Sequence, residues 1–254
     1  MPTAGVEFAK VSYTPDGGPS ILRDISLTLE AGTTTALLGR SGSGKTTLLR
    51  TVNGLVPPTS GDVTVHGKRA NGLQDVQQQI VLRRGIGYVI QETGLFPHMT
   101  VERNAVMSLE LEGRPKPELE ARAREVIEQV GLDFDAMRSR FPWQLSGGQR
   151  QRVGLARALA LDPSVMLMDE PFGALDPLTR SEMQEMFKEL QNQKKRTVLL
   201  VTHDLGEALY LADRVIILDN GEVVADLPES QIAASNNPHV KDYVSAVHHL
   251  IERL

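Results

Sequence analysis

Short hydrophobic runs alternate with amphipathic segments along most of the chain. Four mostly apolar runs, each followed by a polar or glycine residue, lie at residues 35–38, 165–168, 197–201 and 214–218. Apolar strands that alternate with helical segments are typical of a parallel sheet buried on both faces. A helix is predicted from about Lys45 to Gly54, after the first run. The pattern therefore predicts an α/β fold with a largely parallel sheet.

Three segments near the N-terminus follow a different pattern. Apolar and polar residues alternate at residues 6–11, 25–29 and 62–67. Such alternation is typical of antiparallel strands with one solvated face. A turn at residues 219–222 precedes a short strand at 223–225, as expected for a hairpin. We therefore expect an antiparallel β subdomain in addition to the parallel core.

A helical region is predicted between the helix that starts near Lys45 and the second apolar run. It spans about residues 95–158 and is broken at the Gly- and Pro-rich segment 113–117. Glu120 and Arg124 are spaced for an ion pair on one of its helices. We expect this region to form a helical subdomain inserted into the core.

Length and composition limit the possible classes of protein. The chain has 254 residues, of which 41% are hydrophobic, so we expect one domain over residues 1–254 with a short helical tail at 228–254. A net charge of −5 argues against a nucleic-acid-binding surface, and the lack of cysteine excludes disulfides. The N-terminus has no signal-peptide pattern, and the apolar runs are too short to span a bilayer. A role at a membrane is therefore expected to be peripheral.

One octapeptide matches the phosphate-binding motif G-x-x-x-x-G-K-[ST] in full. Its residues, with the threonine that follows, are Gly39, Arg40, Ser41, Gly42, Ser43, Gly44, Lys45, Thr46 and Thr47. The glycines let backbone N–H groups approach phosphate oxygens at a helix N-terminus. We expect Lys45 to bridge the β- and γ-phosphates and Thr46 to bind Mg²⁺. The alternative is an ordinary Gly/Ser turn, but the preceding buried strand favours a phosphate loop.

Two carboxylates follow the apolar run at residues 165–168. Asp169 is suited to support Mg²⁺ through water, and Glu170 is suited to polarise the attacking water as a general base. The arrangement resembles the Walker B motif. Taken alone, it also fits two solvated acids at a strand end, and the phosphate loop in the same chain favours the catalytic interpretation.

A third candidate segment is Leu145-Ser146-Gly147-Gly148-Gln149. Ser146 is predicted to cap a helix that starts near Gly148. Arg150 and Arg152 then fall in the first turn, where positive charge opposes the helix dipole. A bound anion in front of the helix would relieve this conflict, so we interpret the segment as a phosphate contact.

The phosphate loop and the LSGGQ segment together resemble the ATP-binding cassette (ABC) ATPases, the motors of ABC transporters. The resemblance implies a P-loop NTPase (RecA-like) core with an N-terminal antiparallel β subdomain and an inserted helical subdomain. It also implies binding of ATP and Mg²⁺ and a homodimer that forms on ATP binding. In this family the signature segment contacts the ATP held by the second chain, which implies contacts in trans for Ser146, Gly147, Gly148 and Gln149.

Further positions resemble the family's motifs in the expected order. Gln91 resembles the Q-loop glutamine, Asp176 the D-loop aspartate and His203 the switch histidine that contacts the γ-phosphate. Tyr13 is the nearest candidate for the aromatic that stacks on adenine, although it comes slightly earlier than usual, and the alternative is that it faces the core. The resemblance thus implies catalytic roles for Lys45, Gln91, Glu170 and His203, and metal contacts for Thr46, Gln91 and Asp169.

Residues 86–101 and 172–180 resemble, more narrowly, the ATPases of importers for glycine betaine, choline and related osmoprotectants. This implies integral-membrane permease subunits, and allows a solute-binding protein, as partners on the cytoplasmic face of the cell membrane. An importer of another small solute and an exporter stay open as alternatives. Non-transport ABC ATPases are more distant, since they usually contain coiled-coil insertions or paired cassettes, and a P-loop kinase leaves LSGGQ unexplained.

One feature departs from this narrower resemblance. Many osmoprotectant ATPases have a C-terminal regulatory domain of about a hundred residues or more. Because the chain ends at Leu254, we expect regulation by such a domain to be absent.

An apolar cluster follows Gln91 and comprises Leu95, Phe96, Pro97 and Met99. It is interpreted either as core of the helical subdomain or as a groove for a coupling helix of a permease.

Overall fold

The computed structural model describes residues 4–73 and 75–251 and divides into two compact units. Within the described ranges, the first unit combines the chain up to residue 83 with the chain from residue 196 onward. The second unit comprises residues 84–195. Segments near both ends of the described chain therefore contribute to the first unit.

An antiparallel sheet forms one part of the first unit. Its strands are β1 (Ala4–Tyr13), β2 (Leu22–Glu30), β4 (Ser60–Val65) and β5 (Lys68–Arg69), in the order β2-β1-β4-β5. Buried and exposed residues alternate along most of β2, as expected for a strand with one solvated face. The predicted antiparallel subdomain is therefore confirmed.

The remaining described strands of the first unit belong to a second sheet. They are β3 (Thr34–Leu38), β8 (Thr197–Thr202), β9 (Arg214–Asp219) and β10 (Glu222–Pro228). β3 pairs in parallel with both β8 and β9, and β10 pairs antiparallel with β9 as the predicted hairpin. Every residue of β3 and β8 is buried, which is typical of a parallel strand covered on both faces.

Several helices of the first unit contact its strands. They are α1 (Lys45–Val52), α8 (Leu205–Leu211) and α9 (Pro238–Ile251). Leu205 and Ala208 of α8 and Val240 of α9 join one hydrophobic cluster with residues of β3 and β9, so this cluster is a core of the unit. The tail also contains a 3-10 turn at Glu229–Gln231, and residues 252–254 lie outside the described part of the chain.

The second unit is mostly helical. Its strands β6 (Ile86–Val89) and β7 (Val165–Asp169) are parallel neighbours. Its helices are α3 (Val101–Leu111), α4 (Lys116–Gln129), α5 (Phe134–Met137), α6 (Gly147–Leu159) and α7 (Pro177–Gln193). Helices α3, α4 and α6 pack against one another, as the predicted helical region required. Throughout the described ranges, every helix is too short or too polar to cross a membrane.

The predicted ion pair between Glu120 and Arg124 is wrong. Arg124 donates instead to Asp135 at 2.8 Å and 2.9 Å, and Glu120 accepts from Arg138 at 2.6 Å. The reason is tertiary, because α5 brings Asp135 and the buried ring of Phe134 against α4. The guanidinium groups of Arg124 and Arg138 lie over this ring, 4.4 Å and 4.8 Å from its centroid.

One helix, α2 (Val76–Arg84), has no counterpart in the sequence prediction. None of its residues is buried, and Val76 and Val81 are well exposed. A helix with no buried face lacks the apolar periodicity by which amphipathic helices are recognised. This explains why the hydrophobic pattern did not indicate it.

Candidate functional site

The predicted phosphate loop lies between the buried strand β3 and helix α1. Gly39 is packed so closely that a Cβ atom there would clash with the carbonyl oxygen of Leu218. Gly42 and Gly44 have φ angles of 82° and 102°, in the left-handed region that glycine tolerates. The first turn of α1 contains no acidic side chain. The loop thus ends at a helix N-terminus that favours an anion.

Two side chains of this loop are buried and polar. Lys45 donates from Nζ to the carbonyl oxygens of Gly39 at 2.7 Å and Arg40 at 2.9 Å. The Oγ atom of Ser43 is buried and has no hydrogen-bond partner among the described residues. A buried hydroxyl group without a hydrogen-bond partner is unfavourable, unless a bound ligand supplies that partner. Cation, hydroxyl and backbone geometry therefore fit a bound phosphate group.

The other predicted positions of the loop differ in exposure. Arg40, Ser41 and Gly42 are exposed to solvent, whereas Thr46 and Thr47 are half-buried in the first turn of α1. The exposed residues leave one side of the loop open to a ligand. Tyr13 is the last residue of β1 and is half-buried. This position leaves the stacking role of Tyr13 a prediction.

His203 is held in a tight turn between β8 and α8. Its side chain is exposed, while both neighbouring residues are fixed by hydrogen bonds. The hydroxyl of Thr202 donates to the carboxylate of Glu207 and accepts from the backbone N–H of Asp204 at 3.0 Å. Asp204 caps α8 by accepting from the backbone N–H of Glu207 at 3.1 Å. The turn presents the imidazole of His203 on a rigid base.

In the second unit, the residues after β6 and β7 meet. Asp169 is the last residue of β7 and is 3% exposed. Glu170 follows with a φ of 46°, a left-handed conformation that is uncommon for a residue other than glycine. The side-chain amide of Gln91 donates from Nε2 to Oε2 of Glu170 at 3.3 Å. The fold therefore brings the predicted Q-loop glutamine to the predicted general base.

The LSGGQ segment begins helix α6. Ser146 is the N-cap, as predicted, and its Oγ accepts from the backbone N–H of Gln149 at 3.2 Å. The side chain of Gln149 accepts in return from the backbone N–H of Ser146 at 3.0 Å. This reciprocal pair is a capping box, and the spacing of serine and glutamine was a signal in the sequence that could have predicted it.

Arg150 and Arg152, which follow the segment in α6, both have hydrogen-bond acceptors. Arg150 donates to the carbonyl oxygen of Leu145 at 2.7 Å, and Arg152 donates to that of Val130 at 2.8 Å. Arg152 also lies 3.6 Å from the carboxylate of Glu182. Acceptors within the second unit therefore hold both guanidinium groups, and the anion contact at this helix end stays a prediction.

The two glycines of the segment have different surroundings. A Cβ atom at Gly148 would lie 2.5 Å from a methyl carbon of Thr179, so close packing requires glycine there. At Gly147 nothing lies within 4 Å, and the residue is exposed. Asp176 caps α7 by accepting from the backbone N–H of Thr179 at 3.1 Å. This bonding to Thr179 lowers the pKa of the Asp176 carboxyl.

The oxygen donors are suited to Mg²⁺ accompanied by phosphate. Within residues 4–73 and 75–251, there is no group of three or more His, Cys, Asp or Glu side chains that could hold a metal ion. Mg²⁺ is usually bound through one or two carboxylates together with water and substrate phosphates. The carboxylate of Asp169 in the second unit is a donor of this type, and so is the hydroxyl of Thr46 in the first unit. Binding of Mg²⁺ by either residue stays a prediction.

The sequence did not indicate one residue that contacts the loop after Gln91. Arg157, on α6, donates to the backbone carbonyl oxygens of Thr93 and Gly94, both at 2.7 Å. Its burial lowers the pKa of the guanidinium group. An arginine in an amphipathic helix gives no signal in the sequence, because only the fold brings the loop against it.

Comparison with known proteins gives consistent matches. A family model described as "ABC transporter" matches residues 22–173. The chain is 41% identical over 240 residues to the carnitine transport ATP-binding protein OpuCA of Listeria monocytogenes, over 94% of this chain and 59% of that protein. It is 43% identical over 219 residues to the glycine betaine uptake system ATP-binding protein YehX of Escherichia coli, over 86% of this chain and 69% of that protein. The chain thus spans less than two thirds of the OpuCA protein.

A solved structure is also similar. It is a dimeric ATP-binding cassette in a post-hydrolysis state, bound to ADP and Pi, with a TM-score of 0.80 and 32% identity. The match covers 88% of this chain and 98% of that chain. It confirms the predicted P-loop NTPase fold class, with its antiparallel β subdomain and helical insertion.

Proposed function

The chain belongs to the ABC transporter family, and we propose that it is the ATP-hydrolysing subunit of an importer for glycine betaine, choline or related osmoprotectants. The observation that carries the hydrolytic part is the hydrogen bond between Gln91 and Glu170. It joins a candidate general base to a polar group that can orient water, in a chain with a complete phosphate loop. A phosphate loop alone is expected of any nucleotide-binding protein, whereas this pair is suited to hydrolysis.

We assign binding of the ATP phosphates to residues 39–47. Lys45 is proposed to exchange its bonds to the Gly39 and Arg40 carbonyl oxygens for bonds to phosphate oxygens. Thr46 is the proposed direct ligand of Mg²⁺, and Asp169 would support the ion through water. The bound ion would neutralise charge on the phosphate oxygens. Adenine stacking by Tyr13 belongs to the same proposal.

Glu170 and its neighbours are assigned to the hydrolytic step. The Glu170 carboxylate takes the proton of the attacking water as the water oxygen bonds to the γ-phosphorus and ADP leaves. Gln91 orients this water, and His203 donates to the γ-phosphate. General-base catalysis of this kind contributes typically about 10²–10⁴-fold to the rate.

A second copy of the chain completes each site in this proposal. Ser146 and Gly147 are exposed, and the open space around Gly147 leaves room for a phosphate held by the partner. Gln149 supports this end of α6 through the capping box, and Gly148 through close packing on Thr179. The dimeric state of the similar cassette supports the arrangement.

The proposed contact with a permease is the loop after Gln91. Phe96 is 37% exposed and Pro97 is exposed, while Leu95 and Met99 are half-buried, so the cluster retains an accessible apolar surface. The buried side chain of Asn104 fixes this loop through hydrogen bonds to Phe96, Met99 and Thr100. A rigid apolar surface suits a coupling helix at the cytoplasmic face of a membrane.

The substitution Glu170→Gln tests the hydrolytic assignment. Glutamine keeps the size and the hydrogen bonding of the side chain but cannot accept the proton. We expect the purified variant to bind ATP as tightly as wild type, to lose hydrolysis by about 10²-fold or more, and to form an ATP-dependent dimer on gel filtration. Wild-type turnover in the variant would remove Glu170 from this role.

Wild type and Glu170→Gln also test which solute is transported. Cells without this gene should regain uptake of labelled glycine betaine, choline or carnitine when they express wild type, and not when they express Glu170→Gln. If wild type restores none of these solutes although it hydrolyses ATP in vitro, the osmoprotectant assignment is wrong. The ATPase assignment would then stand, and the copurifying permease would identify the solute.

A further inference from the structure

The loop that contains Gln91 adopts a backbone conformation that needs outside support. Thr93 and Gly94, two and three residues after Gln91, have φ angles of 55° and 54°. Threonine is branched at Cβ and disfavours this region, so the conformation is strained. Gly94 also packs so closely that a Cβ atom there would clash with the side chain of Ile90. Such a turn persists only where its surroundings hold it in place.

Arg157 provides this support from helix α6. Its Nη1 donates to the carbonyl oxygen of Gly94 and its Nη2 to that of Thr93, each at 2.7 Å. The two bonds use the planar fork of the guanidinium group, and bonds from a charged donor are stronger than neutral ones. Gly154 lies one turn earlier on the same face, where a Cβ atom would be 3.7 Å from Cβ of Thr93. The loop therefore rests on α6 at both positions.

We infer that Arg157 is a positioning residue for hydrolysis, which holds the loop so that Gln91 can bond to Glu170. The inference rests on the proposed ATPase function. It links the Gln91 loop to α6, the helix that the LSGGQ segment begins. Ser146 caps this helix, and Arg157 lies about three turns further along it. The residue touches neither nucleotide nor water in this assignment and acts only through Gln91.

The second unit contains a matched control. Arg122, on α4, also donates to two consecutive backbone carbonyl oxygens, those of Leu159 at 2.8 Å and Ala160 at 2.9 Å. These acceptors lie at the C-terminal end of α6, and the other partner of Arg122 is Glu125 of its own helix, so none of its contacts within the described residues is to the loop that contains Gln91. Loss of Arg122 therefore removes the same kind of contact from the same helix without releasing that loop.

A double-mutant cycle on ATPase activity tests the inference. We expect Arg157→Met to lower kcat by between about tenfold and about a hundredfold, with little change in KM for ATP, because the phosphate loop keeps its contacts. The double variant Arg157→Met/Gln91→Ala should have a kcat less than about twofold below that of Gln91→Ala alone, since both changes remove the same function, the contact of Gln91 with Glu170. Arg122→Met should leave kcat near wild type and combine additively with Gln91→Ala. Additive effects of Arg157→Met and Gln91→Ala would overturn the inference.

Hydrogen–deuterium exchange provides a readout that does not require activity. In nucleotide-free protein, Arg157→Met should speed amide exchange at residues 91–96, whereas Arg122→Met should not. Equal exchange in wild type and Arg157→Met would overturn the inference. If wild type failed to hydrolyse ATP, the proposed function would be wrong, while the exchange result would still decide whether Arg157 holds the loop.

Arg157→Lys keeps the inference testable if the Arg157→Met variant fails to fold. Lysine keeps the positive charge but lacks the planar fork, so both kcat and the exchange rate at residues 91–96 should fall between those of wild type and Arg157→Met. Full retention of wild-type kcat and exchange in every folded Arg157 variant would overturn the inference.

Discussion

Individual residues of the candidate site occupy conformations that other residues maintain. Glu170 has a φ of 46°, and Gln91 donates to its carboxylate. Strained conformations of this kind persist at functional sites because the surroundings determine them. Lys45 is likewise held by the carbonyl oxygens of Gly39 and Arg40. A phosphate group must compete with these acceptors, so Lys45 is expected to report directly on nucleotide binding.

The substitution Lys45→Ala tests this expectation at the residue scale. It removes charge-assisted hydrogen bonds worth about 1.5–3 kcal/mol in total, which predicts a loss of ATP affinity of about 10- to 100-fold. Titration with a fluorescent ATP analogue measures the change. Lys68→Ala, at an exposed position of β5, is the control and should bind as wild type. Unchanged affinity in Lys45→Ala would show that the phosphate loop is wrongly assigned.

At the scale of elements, the candidate residues gather at helix N-termini. Lys45 begins α1, Ser146 caps α6, Asp176 caps α7, and Asp204, beside His203, caps α8. Helix N-termini present free N–H groups and a positive dipole end, which suit both a cap and an anionic ligand. The same residue types therefore serve folding and the proposed binding.

Asp176 allows the cap to be tested separately. We expect Asp176→Ala to lower the free energy of unfolding and Asp176→Asn to retain most of the wild-type stability, because asparagine also caps helices. Urea denaturation at pH 7 measures both. A variant Asp176→Ala as stable as wild type would contradict the cap.

The stabilisation by the Asp176 cap is expected to decrease in acid. Hydrogen bonding to Thr179 lowers the pKa of the Asp176 carboxyl in the folded protein. The stabilisation is therefore complete above the ordinary aspartate pKa of about 3.9 and is lost as the pH falls through the lowered folded-state value. The stability difference between wild type and Asp176→Asn should accordingly shrink in acid.

At the scale of the whole molecule, each chain has one phosphate loop and one signature segment. If the signature acts on ATP held by the partner, two copies form a symmetric dimer with two composite sites. The exposed Ser146 and Gly147 are free for that contact within the described structure. Sites shared between chains can be complemented by mixing, whereas sites within one chain cannot.

Mixing two inactive variants tests this arrangement. Lys45→Ala has a defective phosphate loop, and Ser146→Arg has a blocked signature. Each alone should be nearly inactive, and an equal mixture should recover up to about a quarter of wild-type ATPase activity. This limit follows because about half of randomly formed dimers are mixed and each mixed dimer has one intact site of two. A mixture as inactive as its components would contradict sites in trans.

The sequence by itself determined the class of fold, the caps and the identity of most candidate residues. Buried parallel strands need uninterrupted apolar runs, which is why β3, β7 and β8 were predicted nearly to their ends. The phosphate loop and the signature segment are continuous in the chain, so their chemistry is visible as motifs. Ser146 and Asp176 were predictable as caps for the same reason, since a cap bonds to residues only two or three positions away.

Only the tertiary structure decided which distant residues meet. Arg124 bonds to Asp135 of α5 and Arg152 to the carbonyl oxygen of Val130, after α4, so the ion pair of Arg124 with Glu120 that local spacing predicted was wrong. Gln91 and Glu170 are 79 residues apart, and Arg157 lies 63 residues from Gly94. Contacts of this kind depend on the pairing of β6 with β7 and on the placement of α6. Local sequence encodes neither, because packing is decided by the whole fold.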